Sequence, residues 1–437
     1  MENFLNKITQ GDCLEKMKLL PDNCVDAIVT DPPYGLNFMG KKWDCQVPYI
    51  EIWQECIRVL RPGGYLLAFA GTRTQHRMAC NIEDAGFEIR DMIAWVYGSG
   101  FPKSLDIGKA VDKLQGSERE NIGAIKHPTL KDTSKIEEQA NASHGNNKWK
   151  RELDLTKGNS DFEGWGTALK PALEPITVAR KPLSEKTVAK NCLKWGTGGI
   201  NIDGCRVDTF QEGELQKLKK RADLPRQNFT GGRLHSGAEY TPQIIESGMS
   251  KKGRFPANLI HDGSEEVLAL FPNTKSGKMS AYNTRHTDGS PNGIYGRFDV
   301  DYPLGETIGD SGSAARFFYC AKTSQQERNA GCNNSEINFD SSRPWRTEES
   351  DRNRIATRLV SKMGGNNHPT VKPIELMQYL IKLVSREESI ILDPFMGSGT
   401  TAIAARKLNR NYIGFELDEK YIKIAEKRFN QELGMFK

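Results

Sequence analysis

The chain has 437 residues, of which 37% are hydrophobic and 27% are charged, and its formal net charge is +5. At about 150 residues per domain, this length corresponds to about three domains or to one large domain with long insertions. The mean hydropathy of −0.59 and the absence of any run of about 18 apolar residues exclude a membrane-spanning protein, and the aromatic content excludes a wholly disordered one. The mild positive charge permits a polyanionic partner without requiring one.

Nine cysteines and seven histidines are distributed without the spacing of a metal site or a disulfide framework. No CxxC pair occurs and no two histidines are spaced as HxxxH, so we expect neither structural zinc nor disulfides. The N-terminal residues also lack the apolar run of a secretory signal peptide. We therefore expect a soluble intracellular protein with reduced thiols.

The first 97 residues alternate between predicted strands and helices. Val25–Val29 is predicted to be a short buried strand, and the amphipathic helix after it ends at 61–64, where Pro and Gly residues stop a helix. A strand, a helix and a further strand are predicted at Tyr65–Ala70, Gln75–Ala85 and Phe87–Trp95. This alternation is typical of parallel strands joined by right-handed crossovers.

The middle of the chain, residues 98–366, has a different composition. Glycine, asparagine, serine and basic residues increase and hydrophobic periodicity fades, but apolar islands such as GWGTALKPALEPITVARKPL, GRFPANLI and ARFFYCAKT remain. A linker would not keep such islands, so we predict an irregular second module with mobile loops.

The C-terminal residues return to alternating elements. The predicted elements are a helix at Ile374–Val384, a strand at Ser389–Leu392, a glycine-rich turn at Asp393–Thr400, a helix at Thr401–Leu408, a strand at Tyr412–Phe415 and a helix at Glu419–Phe429. Neither end of the chain carries enough strands for a stable doubly wound sheet. We therefore expect the two ends to form one α/β domain together.

The tetrapeptide Asp31-Pro32-Pro33-Tyr34 follows directly after the first buried strand. Its two prolines stiffen the loop and leave carbonyl oxygens free to accept hydrogen bonds. A carboxylate, a free carbonyl and an aromatic face would then lie together at the carboxyl edge of the sheet, which suits an exocyclic amine on a planar base. A simple Pro-Pro turn with a solvated aspartate is the alternative.

A second group of residues suits a nucleoside with an amino-acid-like tail. The glycine-rich turn Asp393–Thr400 precedes a helix N-terminus, where the backbone can approach a ligand and a carboxylate is favoured. Glu416 ends the next strand, where a carboxylate can accept both hydroxyls of a ribose, and Asp12 is a candidate for a position near the adenine ring. Taken singly, each acid is equally compatible with a helix cap or a turn; together they describe a site for S-adenosylmethionine.

The chain resembles the amino-methylating DNA methyltransferases in their permuted β arrangement, including phage-associated members. The resemblance is carried by DPPYG at Asp31–Gly35, HPTVKP at His368–Pro373, DPFMGSGTT at Asp393–Thr401, IGFE at Ile413–Glu416 and GD at Gly11–Asp12. It implies a class I S-adenosylmethionine-dependent methyltransferase fold, α/β and Rossmann-like with a mostly parallel seven-stranded sheet, circularly permuted around a large irregular target-recognition insertion. The implied parts are a catalytic half at 1–97, a target-recognition and DNA-binding region at 98–366 and a cofactor-binding half at 367–437.

The resemblance also assigns roles to individual residues. The expected catalytic residues are Asp31, Pro32, Pro33 and Tyr34, and the expected cofactor-binding residues are Asp12, Thr370, Lys372, Asp393, Phe395, Gly397, Gly399, Thr400 and Glu416. In this assignment Thr370 and Lys372 approach the carboxylate of the methionine tail, and Asp393 holds its amino group. Asp12 and Glu416 bracket adenosine, and His368 is structural. Basic tracts at 179–190 and 217–226 are candidates for phosphate contacts, or else solvated faces.

The implied activity is methyl transfer from S-adenosylmethionine to the exocyclic N6 amine of adenine in double-stranded DNA, by direct in-line attack after base flipping. Aspartate rather than serine at the first motif position favours adenine, and cytosine-N4 stays the alternative. The order of the motifs and the long middle region argue against an RNA or protein-glutamine methyltransferase. No Pro-Cys dipeptide occurs for a cytosine-C5 mechanism, and a catalytically inactive DNA-binding protein would be expected to lose Asp31, Tyr34 or the glycines.

The resemblance further implies a restriction-modification methylase in the cytoplasm of a bacterial or phage-infected cell. No PD-(D/E)xK arrangement of a nuclease occurs in a strand context, so we expect a methylase without a fused nuclease. A homodimer is expected for this class, whereas neither a metal ion nor a membrane is implied. The recognition sequence is not predicted, because it depends on a few side chains in a region without periodicity.

Overall fold

The computed structural model describes residues 1–36, 44–98, 100, 104–126, 152–207, 253–275, 311–321 and 371–434. The chain forms two compact units, one of Met1–Gly98 with Leu173–Lys437 and one of Ser99–Ala172. Within the described residues, no helix combines the length and apolar character needed to cross a membrane.

The secondary structure follows the chain in regular alternation at both ends. The strands are β1 (Lys7–Gln10), β2 (Val25–Thr30), β3 (Leu60–Phe69), β4 (Glu88–Val96), β5 (Glu120–Lys126), β6 (Glu152–Lys157), β7 (Leu173–Arg180), β8 (Leu259–His261), β9 (Asn273–Lys275), β10 (Ser311–Ser313), β11 (Tyr319–Cys320), β12 (Ile390–Asp393) and β13 (Asn411–Glu416). The helices are α1 (Cys13–Met17), α2 (Ile50–Val59), α3 (Gln75–Asp84), α4 (Ile107–Gln115), α5 (Val188–Trp195), α6 (Glu265–Leu268), α7 (Ile374–Val384), α8 (Thr400–Lys407) and α9 (Glu419–Gly434).

The larger unit is built on one sheet with the strand order β1-β13-β12-β2-β3-β7-β4-β8-β11. Neighbouring strands are parallel except at β7, which is antiparallel to both β3 and β4. The predicted α/β fold with a mostly parallel sheet is confirmed. The sheet has nine strands in the described residues rather than seven, because β8 and β11 extend it beyond β4. These two strands are three and two residues long, too short to leave a period in the sequence.

The two ends of the chain share this sheet, as predicted. Strand β13 pairs with β1, where Phe415 lies opposite Thr9, and β12 pairs with β2, where Ile391 lies opposite Ala27. All six residues of β2 are buried, as expected for a parallel strand covered on both faces. Successive side chains of β2 alternate between two cores, with Ala27 facing the one that contains α7 and α8 and Ile28 facing the one that contains α1, α2 and α3.

The region predicted as one irregular module is divided by the structure. Its apolar island at 173–180 forms β7 inside the main sheet, and β8 and β11 lie at the edge of that sheet. The smaller unit contains α4 and the antiparallel pair β5–β6. In this unit the Arg119 guanidinium pairs with Asp112 and, at 2.7 Å, with Glu163 Oε1. The predicted role of 98–366 in DNA recognition stays a prediction.

One predicted boundary is wrong. The Arg-Pro-Gly-Gly segment at 61–64 was predicted as a stop between a helix and a strand at Tyr65–Ala70, but β3 begins at Leu60, directly after α2, and runs through the segment. Pro62 carries no amide hydrogen, so its place in β3 leaves no amide donor without a partner. The amide of Gly63 donates to the Lys181 carbonyl, just beyond β7, at 3.0 Å. Tertiary pairing therefore overrides the local signal.

Candidate active site

A cavity of about 650 Å³ opens at the carboxyl edge of the main sheet. The strands β1, β13, β12 and β2 are adjacent and parallel, so the segments that follow them meet at this edge. Each segment contributes a carboxyl group: Asp12 after β1, Asp31 after β2, Asp393 at the end of β12 and Glu416 at the end of β13. Residues predicted from four separate motifs therefore surround one cavity.

Asp31 lies in a hydrogen-bonded group of four side chains, here called the Asp31 cluster: Asp31, Tyr34, Glu174 and Lys372. Asp31 Oδ1 accepts a hydrogen bond from the Tyr34 hydroxyl at 2.7 Å, and Oδ2 accepts one from Lys372 Nζ at 2.6 Å. Glu174 Oε2 lies 3.0 Å from the same hydroxyl and 3.2 Å from the same ammonium. The Lys372 side chain is only 5% exposed, so its charge is balanced within the cluster.

Burial is the main influence on ionisation in the Asp31 cluster. It raises the pKa of Asp31, an effect that the Lys372 ammonium opposes and the Glu174 carboxylate reinforces. Burial disfavours the Lys372 ammonium, but the two carboxylates outweigh it and raise the pKa of Lys372 above its ordinary value. Burial and then the carboxylates also raise the pKa of Tyr34 well above its ordinary value, so its hydroxyl keeps its proton. The cluster thus presents a positioned carboxylate that can accept a hydrogen bond.

The backbone of the Asp31–Tyr34 loop is fixed by a carboxylate further along the chain. Asp44 is 3% exposed, and its Oδ1 accepts hydrogen bonds from the amides of Tyr34 at 2.8 Å and Gly35 at 2.9 Å. The Thr74 hydroxyl donates to the Tyr34 carbonyl at 2.6 Å. The ring of Tyr34 is therefore held at both its backbone and its hydroxyl, while Pro32 and Pro33 line the cavity beside it.

Asp393 is the most buried acid of the cavity, with 2% of its surface exposed. Its Oδ1 accepts hydrogen bonds from the Thr30 hydroxyl at 2.6 Å and the Phe395 amide at 3.0 Å, and its Oδ2 accepts one from the Thr401 hydroxyl at 2.5 Å. Burial raises the pKa of Asp393 to about 6, although these hydrogen bonds act to lower it. Asp393 therefore ties β2, β12 and α8 together where the glycine-rich turn begins.

Glu416 and Asp12 lie on the other side of the cavity. Glu416 Oε2 accepts from the Gly397 amide and Oε1 from the Asp418 amide, both at 2.8 Å, and burial raises the pKa of Glu416. Asp12 is exposed, and its Oδ1 caps α1 by accepting from the amides of Leu14 and Glu15. The helix-cap alternative is thus correct for Asp12, which nevertheless also lines the cavity.

The remaining predicted cofactor residues are placed in different ways. Phe395 and Thr400 line the cavity, with the ring of Phe395 packed 6.4 Å from that of Trp53. Gly399 does not line it; its φ is +82°, and a Cβ there would lie 2.8 Å from Ala425 Cβ, so this glycine lets α8 and α9 approach. Thr370 lies outside the described residues.

Lys372 lines the cavity but not in the predicted manner. Its three ammonium hydrogens are matched by Asp31, Glu174 and the Tyr34 oxygen, rather than being free for the carboxylate of a ligand. The prediction that Lys372 belongs to the cofactor site stays a prediction, and in the structure its ammonium binds within the Asp31 cluster.

Two residues of the site were missed in the sequence. Glu174 lies on β7, 140 residues after Tyr34, and its sequence signal is a charge within the apolar island LEPITVAR, to which no role was assigned. Asp44 had no signal, because a single aspartate ten residues after Tyr34 belongs to none of the motifs in the sequence. Cys13 also lines the cavity, and burial raises the pKa of its thiol to about 12, so it offers no thiolate nucleophile near neutral pH.

Two of the four cations in the basic tract at 179–190 bind within the fold, whereas Lys186 and Lys190 are exposed and their predicted phosphate contacts stay a prediction. Within 179–190, Arg180 pairs with Glu88 at 2.6 Å, and Lys181 Nζ donates to the Leu60 carbonyl at 2.7 Å. These two cations therefore serve the fold. The tract at 217–226 lies outside the described residues.

Comparisons with known proteins match most of the chain segments that line the cavity. A family model described as DNA methylase matches residues 25–150 and 270–427, more than half of the chain. The type II methyltransferase M2.DpnII of Streptococcus pneumoniae is 45% identical over 76 residues, which cover 17% of this chain and 28% of that protein. The type II methyltransferase M.HindIII of Haemophilus influenzae is 46% identical over 80 residues, which cover 18% of this chain and 26% of that protein.

These matches span less than a third of the length of either relative. Among solved structures, the crystal structure of M1.HpyAVI aligns over 97% of this chain and 98% of that chain, with 15% identity and a TM-score of 0.36.

Proposed function

The chain belongs to the DNA methylase family, and from that premise we propose that it transfers a methyl group from S-adenosylmethionine to the N6 amine of adenine in double-stranded DNA. The observation that carries the proposal is the single cavity that joins the Asp31–Tyr34 loop to the Asp393–Thr400 turn. A methyl donor held by the turn would face an amine held by the loop. The aspartate at the first position of the loop is the reason for choosing adenine over cytosine.

The residues of the cavity fit S-adenosylmethionine by their chemistry. A volume of about 650 Å³ lies within the usual range of ligand pockets, about 300–1,000 Å³. Glu416 keeps free lone pairs beside the two amides it accepts from, which suits a pair of ribose hydroxyls. Asp393 offers a carboxylate for the ammonium of the tail, and Phe395 an aromatic face. When bound, the cofactor supplies a sulfonium methyl group as the electrophile.

The loop residues supply what an aromatic amine lacks. The lone pair of such an amine is delocalised into its ring, so the amine is a poor nucleophile. A hydrogen bond to Asp31 and a second to a carbonyl of the Pro32-Pro33 segment would draw the nitrogen toward tetrahedral geometry and localise that lone pair. The ring of Tyr34 would stack on the base and replace part of the stacking lost when the base leaves the duplex. Positioning and fixed dipoles would then carry the rate.

Nucleoside mass spectrometry of plasmid DNA from cells that express this chain tests the proposal. We expect N6-methyladenine from the natural chain and none from an Asp31→Ala variant. N4-methylcytosine would retain the reaction but refute the choice of base, and the absence of both marks would refute a DNA substrate. Calorimetry with S-adenosylmethionine is expected to show similar affinity for both chains, and methylation by Asp31→Ala would refute the role of Asp31.

Dimerisation, a restriction-modification context and DNA contacts from 98–366 belong to the same proposal. They rest on the family and on the names of the type II relatives. Analytical ultracentrifugation with and without a DNA duplex measures dimerisation directly.

A further inference from the structure

Glu174 brings a second carboxylate to the catalytic end of the cavity. It lies on β7, the antiparallel strand between β3 and β4, and faces Trp95 in the register of β4. Its side chain is 19% exposed. The catalytic motif does not include this residue, and nothing in the mechanism above uses it.

The two carboxylates share the same pair of donors. The single proton of the Tyr34 hydroxyl lies between Asp31 Oδ1 at 2.7 Å and Glu174 Oε2 at 3.0 Å. The Lys372 ammonium lies between Asp31 Oδ2 at 2.6 Å and Glu174 Oε2 at 3.2 Å. The carboxylate oxygens on either side of Lys372 Nζ are therefore within about 6 Å of each other. Neither donor can be repositioned without a change at both acids.

We propose that Glu174 is a positioning residue for methyl transfer: by sharing the Tyr34 hydroxyl and the Lys372 ammonium with Asp31, it fixes the carboxylate that receives the target amine. The inference rests on the proposed function for its catalytic consequence, because Glu174 acts through Tyr34 and Lys372 rather than on the base. The coupling between the two carboxylates, from which this consequence is inferred, can be measured without methyl transfer.

The coupling has a definite sign. The charge of Glu174 raises the pKa of Asp31 and reinforces the larger effect of burial, whereas Lys372 lowers it. Without the Glu174 charge this repulsion disappears and Lys372 pairs with Asp31 alone, and both changes lower the pKa of Asp31. In the part of the chain that the structure describes, the other titratable groups that face the two acids are Tyr34 on the same loop, Tyr97 after β4 and Asp393 at the end of β12. None of them replaces the charge of Glu174.

The test compares the pH dependence of kcat for DNA methylation in the natural chain, Glu174→Gln and Glu88→Gln. Glutamine keeps the size of the side chain and removes its charge. We expect the acid limb of the kcat profile, where activity rises with pH, to lie about one unit lower in Glu174→Gln than in the natural chain. We also expect kcat at the optimum to be reduced about tenfold and KM for DNA to be nearly unchanged. Glu88 is the matched control, because it lies seven residues from Trp95 along β4, about 23 Å away at the far end of the strand. Its variant should follow the natural profile.

An unchanged acid limb in Glu174→Gln, a limb moved to higher pH, or a loss confined to KM would overturn the proposal. Glu174→Asp is the second variant if the first fails to fold. It keeps the charge but shortens the side chain, so the limb should stay in place while kcat falls; a displaced limb would contradict us.

A carboxyl carbon NMR titration of Asp31 in the protein without DNA separates this inference from the proposed function. Asp31 should titrate at lower pH in Glu174→Gln than in the natural chain, even if no DNA is methylated. Equal titration would refute the coupling, whereas shifted titration with no methylation of DNA by the natural chain would refute only the substrate.

Discussion

Replacing Asp393 with asparagine isolates the cost of ionising a buried carboxyl at the centre of the cavity. Asp393 is 2% exposed, and its two oxygens accept from Thr30, Thr401 and the Phe395 amide. Asparagine has nearly the same shape and can keep an acceptor for these donors, but it does not ionise. The variant therefore removes the titration and retains most of the packing.

The size of the effect follows from the pKa of Asp393, which burial raises from 3.8 to about 6. This difference corresponds to about 3 kcal/mol of unfolding free energy. An acid with a raised pKa binds its proton more tightly when the protein is folded, so its stabilising contribution is complete only well below the unfolded pKa of 3.8. The contribution is lost as the pH rises through 6. Relative to the asparagine variant, the natural chain should therefore lose about 2 kcal/mol of unfolding free energy between pH 4 and pH 7.

Urea unfolding of both chains at several pH values between 4 and 7 measures this difference, and the pH dependence common to both chains cancels. Thr30→Val provides a graded comparison, because the loss of one donor to the carboxylate should extend the pH range of the decline upward. If the difference between the natural chain and Asp393→Asn stays constant across this range, Asp393 is not ionising in a buried site and the reasoning fails.

Three further outcomes are expected. Gly399→Ala should destabilise the protein by about 2–4 kcal/mol in urea unfolding, because residue 399 has a positive φ and the added Cβ would overlap with Ala425. A second change, Ala425→Gly, should recover the steric part of this loss, and purely additive losses in the double variant would contradict the contact. Asp44→Ala should reduce DNA methylation more than tenfold while calorimetry shows unchanged cofactor affinity, because the two loop amides lose their acceptor. Iodoacetamide at pH 8 should label exposed Cys80 and not Cys13, as mapped by peptide mass spectrometry, because burial raises the pKa of the Cys13 thiol to about 12; equal labelling would show that Cys13 is accessible.

Local sequence was sufficient for residues that stand directly after buried parallel strands. Asp31 follows β2, Asp393 ends β12 and Glu416 ends β13, and the strands themselves are short apolar runs. The carboxyl ends of parallel strands lie on the same edge of a sheet, so these three acids could be assigned to that edge before the strand pairings were known. The adjacency of β13, β12 and β2 then brings them to one site.

Contacts that depend on a strand from a distant part of the chain could not be predicted. Glu174 reaches Tyr34 only because β7 lies antiparallel between β3 and β4. The apolar residues of a strand predict neither its direction in the sheet nor the strands with which it pairs. The same pairing carries β3 through the Pro-Gly-Gly segment. Gly399 was assigned to the cavity because its motif is rich in glycine, whereas its neighbour Ala425 lies 26 residues further on, in a helix whose packing the motif does not encode.

The charge of the cavity connects the proposed cofactor to the proposed substrate. Among the described residues that line the cavity, one is basic, Lys372, and seven are acidic, namely Asp12, Asp31, Asp44, Asp393, Glu416, Asp418 and Glu419. Such a cavity favours a ligand that carries a sulfonium and an ammonium, and it accepts a neutral base. Under the proposed function, the carboxylates of the described lining disfavour a phosphodiester, so we expect the DNA backbone to be held elsewhere and the base alone to enter. Under the proposed function, the acidic lining thus requires the target base to leave the duplex, and the loss of the sulfonium charge on methyl transfer weakens the hold on the product.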